Sequence, residues 1–279
     1  MQQVTLKTRQ RNFGTLALPG SKSLTQRAIL ISALAQGQST LHNVLSAEDT
    51  RVMVCALRNL GINILWEGSN LSVFGQNGHI CDQAMIKLKD CGSAARFLIA
   101  LFMSHKGQYV LQGTKRLHER PMLPLFQALL NDERRVLFHE KEGFLPVTIW
   151  GNKSDGARIF VDSHESSQFA SGIAITLPLA AKKASLILSK DCVSLEYLKM
   201  TLAMMRQFGA AIDFVDERTI VCDPSFYQAR NFVIESDFST ASYFCALAAI
   251  HQGEIPISHV NIDSLQSEKE FLYFLAQMG

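Results

Sequence analysis

The stretch Ser21-Lys22-Ser23-Leu24-Thr25-Gln26-Arg27-Ala28-Ile29-Leu30-Ile31-Ser32-Ala33-Leu34-Ala35-Gln36-Gly37 decides the fold, because its plan returns three more times. Small or hydroxyl residues open it, an Ala/Leu/Ile-rich helical run follows, and Gly or Ala closes it. Segments of the same type begin at Gly92, Glu165 and Phe238, a spacing of about 72 residues. Each is followed by a β-like segment, a second helical run and a turn at Gly61, Asn131, Gly209 or Gly279. In the first three copies an alternating hairpin pattern follows, over Ile62 to Phe74, Val136 to Ile149 and Ala210 to Val221. Self-similarity at fixed spacing reports one supersecondary unit used repeatedly. The expectation is an α/β chain with mixed sheets, about three complete units plus part of a fourth.

Within the first unit, Leu18-Pro19-Gly20 ends a strand over Gly14 to Leu18 and turns the chain into a helix. Leu24, Ala28, Ile31 and Ala35 recur at helical spacing and define a buried face. Met53, Ala56 and Leu60 do the same in the second helix, which stops at Gly61. The third unit repeats this logic with Leu198, Leu202 and Met205. The second is the least regular, with Pro121 and Pro124 early in its second helical run.

The 279 residues are 47% apolar and carry a formal charge of +2 with no long basic run. That suits a packed globular chain and excludes the footprint of a nucleic-acid binder. Six cysteines form no C-x-x-C pair, sit among apolar residues in what reads as buried structure, and point to a reducing, cytoplasmic compartment. The opening Met1 to Lys7 runs straight into a strand pattern, and no apolar run is long and uncharged enough to span a bilayer, so neither export nor membrane insertion is expected.

The chemistry lies at the helix openings. Pro19-Gly20-Ser21-Lys22-Ser23-Leu24-Thr25-Gln26-Arg27 combines unpaired helix-start N–H groups with hydroxyls, a lysine and an arginine, a set suited to phosphate or carboxylate. It is not a P-loop. Asp90-Cys91-Gly92-Ser93-Ala94-Ala95-Arg96 offers a glycine for close backbone approach, then a hydroxyl and an arginine. Glu165-Ser166-Ser167-Gln168 offers neutral donors. His118-Glu119-Arg120-Pro121 places an arginine at a strand-to-helix junction, and Ser194-Leu195-Glu196-Tyr197 places a hydroxyl and a phenol at another. Singly, each is an ordinary cap or surface ion pair; at equivalent points of successive repeats they should converge on one face. Glu48-Asp49 is helix-start electrostatics, with Asp49 also able to orient Lys22. The histidines lack metal-ligand spacing, and no nucleophile elbow is present.

In these residues the chain resembles the 5-enolpyruvylshikimate-3-phosphate synthase family, the 3-phosphoshikimate 1-carboxyvinyltransferases, from about residue 4 to Gly279. The resemblance is carried by Leu18 to Arg27, Gly92 to Arg96, Glu119-Arg120-Pro121, Ser166-Ser167-Gln168, Ser194 to Tyr197 and Asp237 to Phe244. It implies a fold of two inside-out α/β barrel domains, each of three βαβαββ units, with the site in the cleft between them. Here that means one domain over 21–234 and part of a second over 1–20 and 235–279. The implied activity moves the enolpyruvyl group of phosphoenolpyruvate (PEP) to the 5-hydroxyl of shikimate 3-phosphate in the shikimate pathway of aromatic amino acid biosynthesis. It proceeds through a tetrahedral intermediate and loss of phosphate, without metal or organic cofactor.

By the same resemblance Lys22 touches both substrates, Ser23 and Arg27 grip the shikimate moiety, and Ser166, Ser167 and Ser194 surround its 3-phosphate with Tyr197 beside them. Gly92, Arg120 and Gln168 stand at the PEP end. The family usually has Asn where Asp90 stands. Its catalytic aspartate and glutamate, and the cations that complete the PEP site, belong to a final third with no counterpart in this sequence, so no catalytic residue is assigned here. The family is typically monomeric, although an unfinished domain invites association. Two other readings stay open: a non-catalytic shikimate 3-phosphate binder, and a UDP-N-acetylglucosamine enolpyruvyl transferase. The latter family typically opens Ala-Lys-Asn, where this chain has Ser-Lys-Ser.

Overall fold

The computed structural model describes residues 15–153, 155–156, 158–261 and 263–278. The strand pattern read at the extreme N-terminus and the turn at Gly279 lie outside them. In chain order, β1 (Leu16–Ala17) leads to the first unit, α1 (Lys22–Leu34), β2 (Gln36–His42), α2 (Glu48–Asn59), β3 (Asn63–Glu67) and β4 (Asn70–Gln76). The second comprises β5 (Gln83–Lys87), α3 (Gly92–Met103), β6 (Gly107–Gln112), α4 (Lys115–His118), α5 (Leu123–Leu129), β7 (Arg135–Phe138) and β8 (Val147–Gly151). The third comprises β9 (Arg158–Val161), α6 (Ser167–Thr176), β10 (Ala184–Leu188), α7 (Leu195–Gln207), β11 (Ile212–Phe214) and β12 (Thr219–Cys222). Then come β13 (Asn231–Val233), α8 (Phe238–Ile250), β14 (Ile257–Ser258) and α9 (Glu270–Gln277).

The hairpins read from alternation are all present. What the sequence did not reveal is the parallel strand that opens each unit. The second and third sheets run β5-β6-β8-β7 and β9-β10-β12-β11, each with one parallel pair followed by antiparallel ones. The first runs β13-β2-β4-β3, so its opening strand is borrowed from far along the chain, with Phe232 opposite Leu41. The strand read before the first helix, now β1, instead pairs in parallel with β14 in a separate two-stranded sheet. Among the described residues the sheets stay separate and do not close into one hydrogen-bonded barrel.

The helices divide into two kinds. α1, α3 and α6 are buried on nearly every face, as expected of helices that are apolar all round. α3 packs on α6, α6 on α7 and α1 on α7, forming an inner layer with the sheets outside it. α2 and α7 bury one stripe each and leave charged residues outward, Arg51 and Arg58 on one and Glu196 and Lys199 on the other. Gly61, at φ +89° just beyond α2, adopts the left-handed conformation that ends a helix without strain. Pro121 does not lie in a helix; the second unit's helical run is split, with Pro121 between α4 and α5 and Pro124 in the first turn of α5. The missing N–H groups break the run where a single helix was read.

Two connections tie this body to the remainder. Gly20 bridges Ser236, Ser21 N donates to the Glu235 carbonyl at 2.8 Å, and Asp237 N donates to the Pro19 carbonyl at 3.0 Å. Beyond them, Leu18, Phe238 and Ala241 form a small separate core. Of the cysteines, Cys91 and Cys222 are buried, whereas Cys55 and Cys81 are exposed, contrary to the reading that placed all six in buried structure; Cys55 sits on the outward face of α2. Among the described residues no helix is long and apolar enough to cross a membrane.

Candidate functional site

The N-terminal turns of the three inner helices meet at one cavity of about 380 Å³. α1 contributes Lys22, Ser23, Gln26 and Arg27; α3 contributes Gly92, Ser93 and Arg96; α6 contributes Gln168. Arg116, Arg120, Asp49 and Asp90 complete the wall. Each unit thus brings the positive end of its buried helix to the same place, the local field that favours an anion. Convergence of the helix openings on one face, expected from the repeat, is what the structure has for these three.

The charges are unequal. Five cationic side chains and two carboxylates line the cavity, and both carboxylates are engaged. Asp49 forms an ion pair with Lys22 Nζ, the orientation read from its position at the start of α2. Asp90 accepts a hydrogen bond from Thr114 Oγ1. Arg27, Arg96, Arg116 and Arg120 have no ion-pair partner among the described residues. Arg96 donates from Nη1 to Gln168 Oε1 at 2.7 Å and lies 5.4 Å from the Phe169 ring, while its Nε is buried without a partner. Burial, then the neighbouring Arg120 charge, holds its pKa below the ordinary guanidinium value. Arg27 is shifted down to about 10 by burial. Cationic groups held in this way favour any ligand that supplies the missing negative charge.

Gly92 leaves room for the arginine facing it, since a Cβ built there would stand 2.4 Å from Arg120 Nη1. The guanidinium lies where a side chain at 92 would be. Sequence reasoning assigned Gly92 and Arg120 separately; their contact is a tertiary fact. It missed Arg116 and Gln26, and it named Arg96 without giving it a site role. Only the recurrence of basic residues around residue 116 to 120 could have signalled Arg116.

A second cavity, about 350 Å³, shares Lys22 and Ser23 with the first and opens toward α8. Tyr197, Asp237, Ser239, Thr240, Gln266 and Glu268 line it. Asp237 caps α8, accepting from Thr240 N at 2.8 Å, and its other oxygen accepts from Lys22 N at 3.3 Å. Tyr197 donates to Glu268, and burial together with that carboxylate raises the phenol's pKa. Ser239 Oγ reaches the same Glu268 oxygen at 3.2 Å. Gln266 and Glu268 lay outside the sequence-level site, because nothing in their local pattern marks them.

The three serines assigned to a phosphate stand at helix starts but not in the walls of these two cavities. Ser166 caps α6, its Oγ accepting from Gln168 N at 3.2 Å. Ser167 is buried in the first turn, and Ser194 is exposed at the start of α7 in a left-handed conformation, φ 51°. A larger cavity of about 500 Å³ lies at the opposite, C-terminal ends of the inner helices, between Leu101, Leu179 and Phe226, with His79, His105 and Lys153 as its ionisable groups. It lacks the guanidinium cluster.

Comparison with known proteins shows the family and the fold. The family model for EPSP synthase (3-phosphoshikimate 1-carboxyvinyltransferase) matches residues 6–279. The chain is 36% identical to the 3-phosphoshikimate 1-carboxyvinyltransferase of Trichormus variabilis, over 95% of this chain and 63% of that protein. It is 38% identical to the Methanospirillum hungatei protein of the same name, over 94% of this chain and 62% of that one. For the Vibrio cholerae protein the identity is 34%, covering 100% and 67%. The chain therefore spans less than two thirds of the first of these relatives. An EPSP synthase structure from Acinetobacter baumannii superposes with a TM-score of 0.82 at 24% identity, covering 96% of this chain and 60% of that one, and shares the fold. With its repeated units, its converging helix starts and these matches, the chain belongs to the EPSP synthase (3-phosphoshikimate 1-carboxyvinyltransferase) family.

Proposed function

We propose that this chain supplies the substrate grip of a 3-phosphoshikimate 1-carboxyvinyltransferase, holding shikimate 3-phosphate and one end of PEP. The observation that carries this reading is the meeting of three helix N-termini and four guanidinium groups, none paired with a carboxylate among the described residues, at one cavity. In this reading 21–234 is one domain, 1–20 and 235–279 belong to a second, and the cleft between them takes the substrates in a cytoplasmic setting.

Lys22, shared by both cavities, bridges the two substrates once it exchanges Asp49 for a ligand anion. Arg120, which fills the space left free at Gly92, and Gln168 hold PEP. Ser23 and Arg27 hold the shikimate ring, with Ser166, Ser167 and Ser194 toward its phosphate and Tyr197 beside them. The reaction joins the 5-hydroxyl oxygen to C2 of PEP as the hydroxyl gives up its proton and C3 gains one, becoming a methyl group. Loss of a proton from C3 and of phosphate from C2 then restores the double bond. Fixed cations stabilise the phosphate charge throughout. The acid and base groups belong, by family resemblance, to the part of the relatives' length that this chain does not span.

Titration calorimetry on the 279-residue chain tests the reading. Shikimate 3-phosphate should bind, Lys22→Ala should weaken it tenfold or more, and mixing with PEP should release no phosphate. Absence of binding, or tighter binding of a UDP-sugar, overturns it.

A further inference from the structure

Arg27 is only 2% exposed, and its partners among the described residues are all neutral. Nε donates to Thr201 Oγ1 at 2.6 Å, Nη1 to the Ser23 carbonyl at 3.0 Å, and Nη2 to Ser171 Oγ at 3.4 Å and the Tyr197 carbonyl at 3.5 Å. The Phe97 and Tyr197 rings lie 5.2 and 5.9 Å from the guanidinium carbon. A guanidinium has five N–H donors; these contacts leave one, on Nη1, without a protein partner, in a side chain that lines the cationic cavity.

The shortest of these contacts comes from a residue that helical periodicity alone would make apolar. Thr201 lies on the buried stripe of α7 between Leu198 and Met205 and is 0% exposed. A hydroxyl there costs stability unless it is satisfied. Its Oγ1 donates to the Tyr197 carbonyl at 2.7 Å, lies 3.1 Å from Ser171 Oγ and accepts from Arg27 Nε. Ser171, also fully buried, comes from α6, so three helices of two units meet on one guanidinium. A buried cation on a long stem would otherwise have several rotamers; a hydrogen bond at Nε fixes the rotation of the guanidinium plane, which lysine could not provide.

We infer that Thr201 is a positioning residue, whose hydroxyl fixes the Arg27 guanidinium so that its unpaired Nη1 N–H serves a ligand oxygen in the cavity. The inference rests on the proposal that Arg27 contacts shikimate 3-phosphate. Preorganisation of this kind raises affinity because the donor is aligned before the ligand arrives.

The test compares wild type, Thr201→Val and Thr201→Ser by titration calorimetry with shikimate 3-phosphate, alongside exchange of the Arg27 Nε–H proton followed by ¹⁵N NMR. Thr201→Val, close in shape to threonine, should weaken binding about tenfold and make the Nε–H exchange at least tenfold faster. Thr201→Ser should stay within about threefold of wild type in both. A merely structural role would not move the Nε–H signal selectively or be rescued by the serine hydroxyl. Binding by Thr201→Val equal to wild type, or Thr201→Ser as weak as Thr201→Val, overturns the inference. If Thr201→Val does not fold, fast Nε–H exchange in the wild type overturns it and slow exchange retained in Thr201→Ser supports it. Failure of the wild type to bind at all overturns the functional proposal instead, and the Nε–H comparison then decides the positioning role alone.

Discussion

Gly92 and Arg120 occupy one space: the Nη1 atom of the arginine stands 2.4 Å from where a Cβ at position 92 would be. The neighbour is the end of a flexible side chain, so Gly92→Ala should fold normally while pushing the guanidinium aside. A charge-assisted hydrogen bond is worth about 1.5–3 kcal/mol. PEP affinity at saturating shikimate 3-phosphate should therefore fall about tenfold or more, with shikimate 3-phosphate binding within about twofold of wild type. Unchanged PEP binding by calorimetry would count against Arg120 as a PEP contact.

Ser166 and Ser167 should separate. Ser166 caps α6 through Gln168 N, so Ser166→Ala should cost about 1 kcal/mol, seen as a lower urea midpoint at unchanged slope. Among the described residues Ser167 makes no such bond, and Ser167→Ala should cost less stability than Ser166→Ala while weakening shikimate 3-phosphate. Equal destabilisation by the two would refute the division of labour.

Alkaline pH should destabilise the fold. Burial pushes the Cys222 thiol from 9.0 up to about 12 and raises Cys91, Tyr109, Tyr197 and Tyr227 as well. Each keeps its proton in the folded state after the unfolded chain has released its own. Their contribution is complete below the unfolded pKa and is lost as pH rises. Arg27, lowered by burial to about 10, acts in the opposite sense above that pH, because the unfolded chain holds that proton longer. The thermal midpoint should fall from pH 9 upward, and less steeply in Cys222→Ala; identical slopes would exclude the thiol.

α8 buries only Phe238 and Ala241, and α9 buries no residue fully, while Tyr243 and Ile250 are each 76% exposed and Met278 83%. Burial of a large apolar side chain is worth about 1.5–3 kcal/mol, so little holds these helices in the 279-residue chain. Amides of α8 and α9 should exchange hydrogen well before those of α1. Protection equal to that of Ile29 to Leu34 would show that the second small core is sufficient.

The repeated unit, the inner helices and the hairpins were legible because each is set by local periodicity. α1 and α3 are apolar all round and could only be buried, and the alternation over 62–74 could only be a half-covered hairpin. The opening strands were not legible. β5, β9 and β13 are short, and β13 joins β2 across almost two hundred residues, a pairing no window of sequence contains. The split between α4 and α5 was misread because Pro121 fits a helix start as well as a helix break.

For the site, the sequence by itself determined which chemical groups stand at the helix openings, since hydroxyls, glycine and arginine at the start of a helix are local facts. Only the tertiary structure decided what they do together. Asp49 pairs with Lys22, Arg120 fills the space above Gly92, and Thr201 holds Arg27 from another unit, because packing three buried helices side by side brings their N-termini to one cavity. That convergence depends on distances between units, and distances between units are fixed by side-chain packing and strand pairing, not by the order of residues within any one of them.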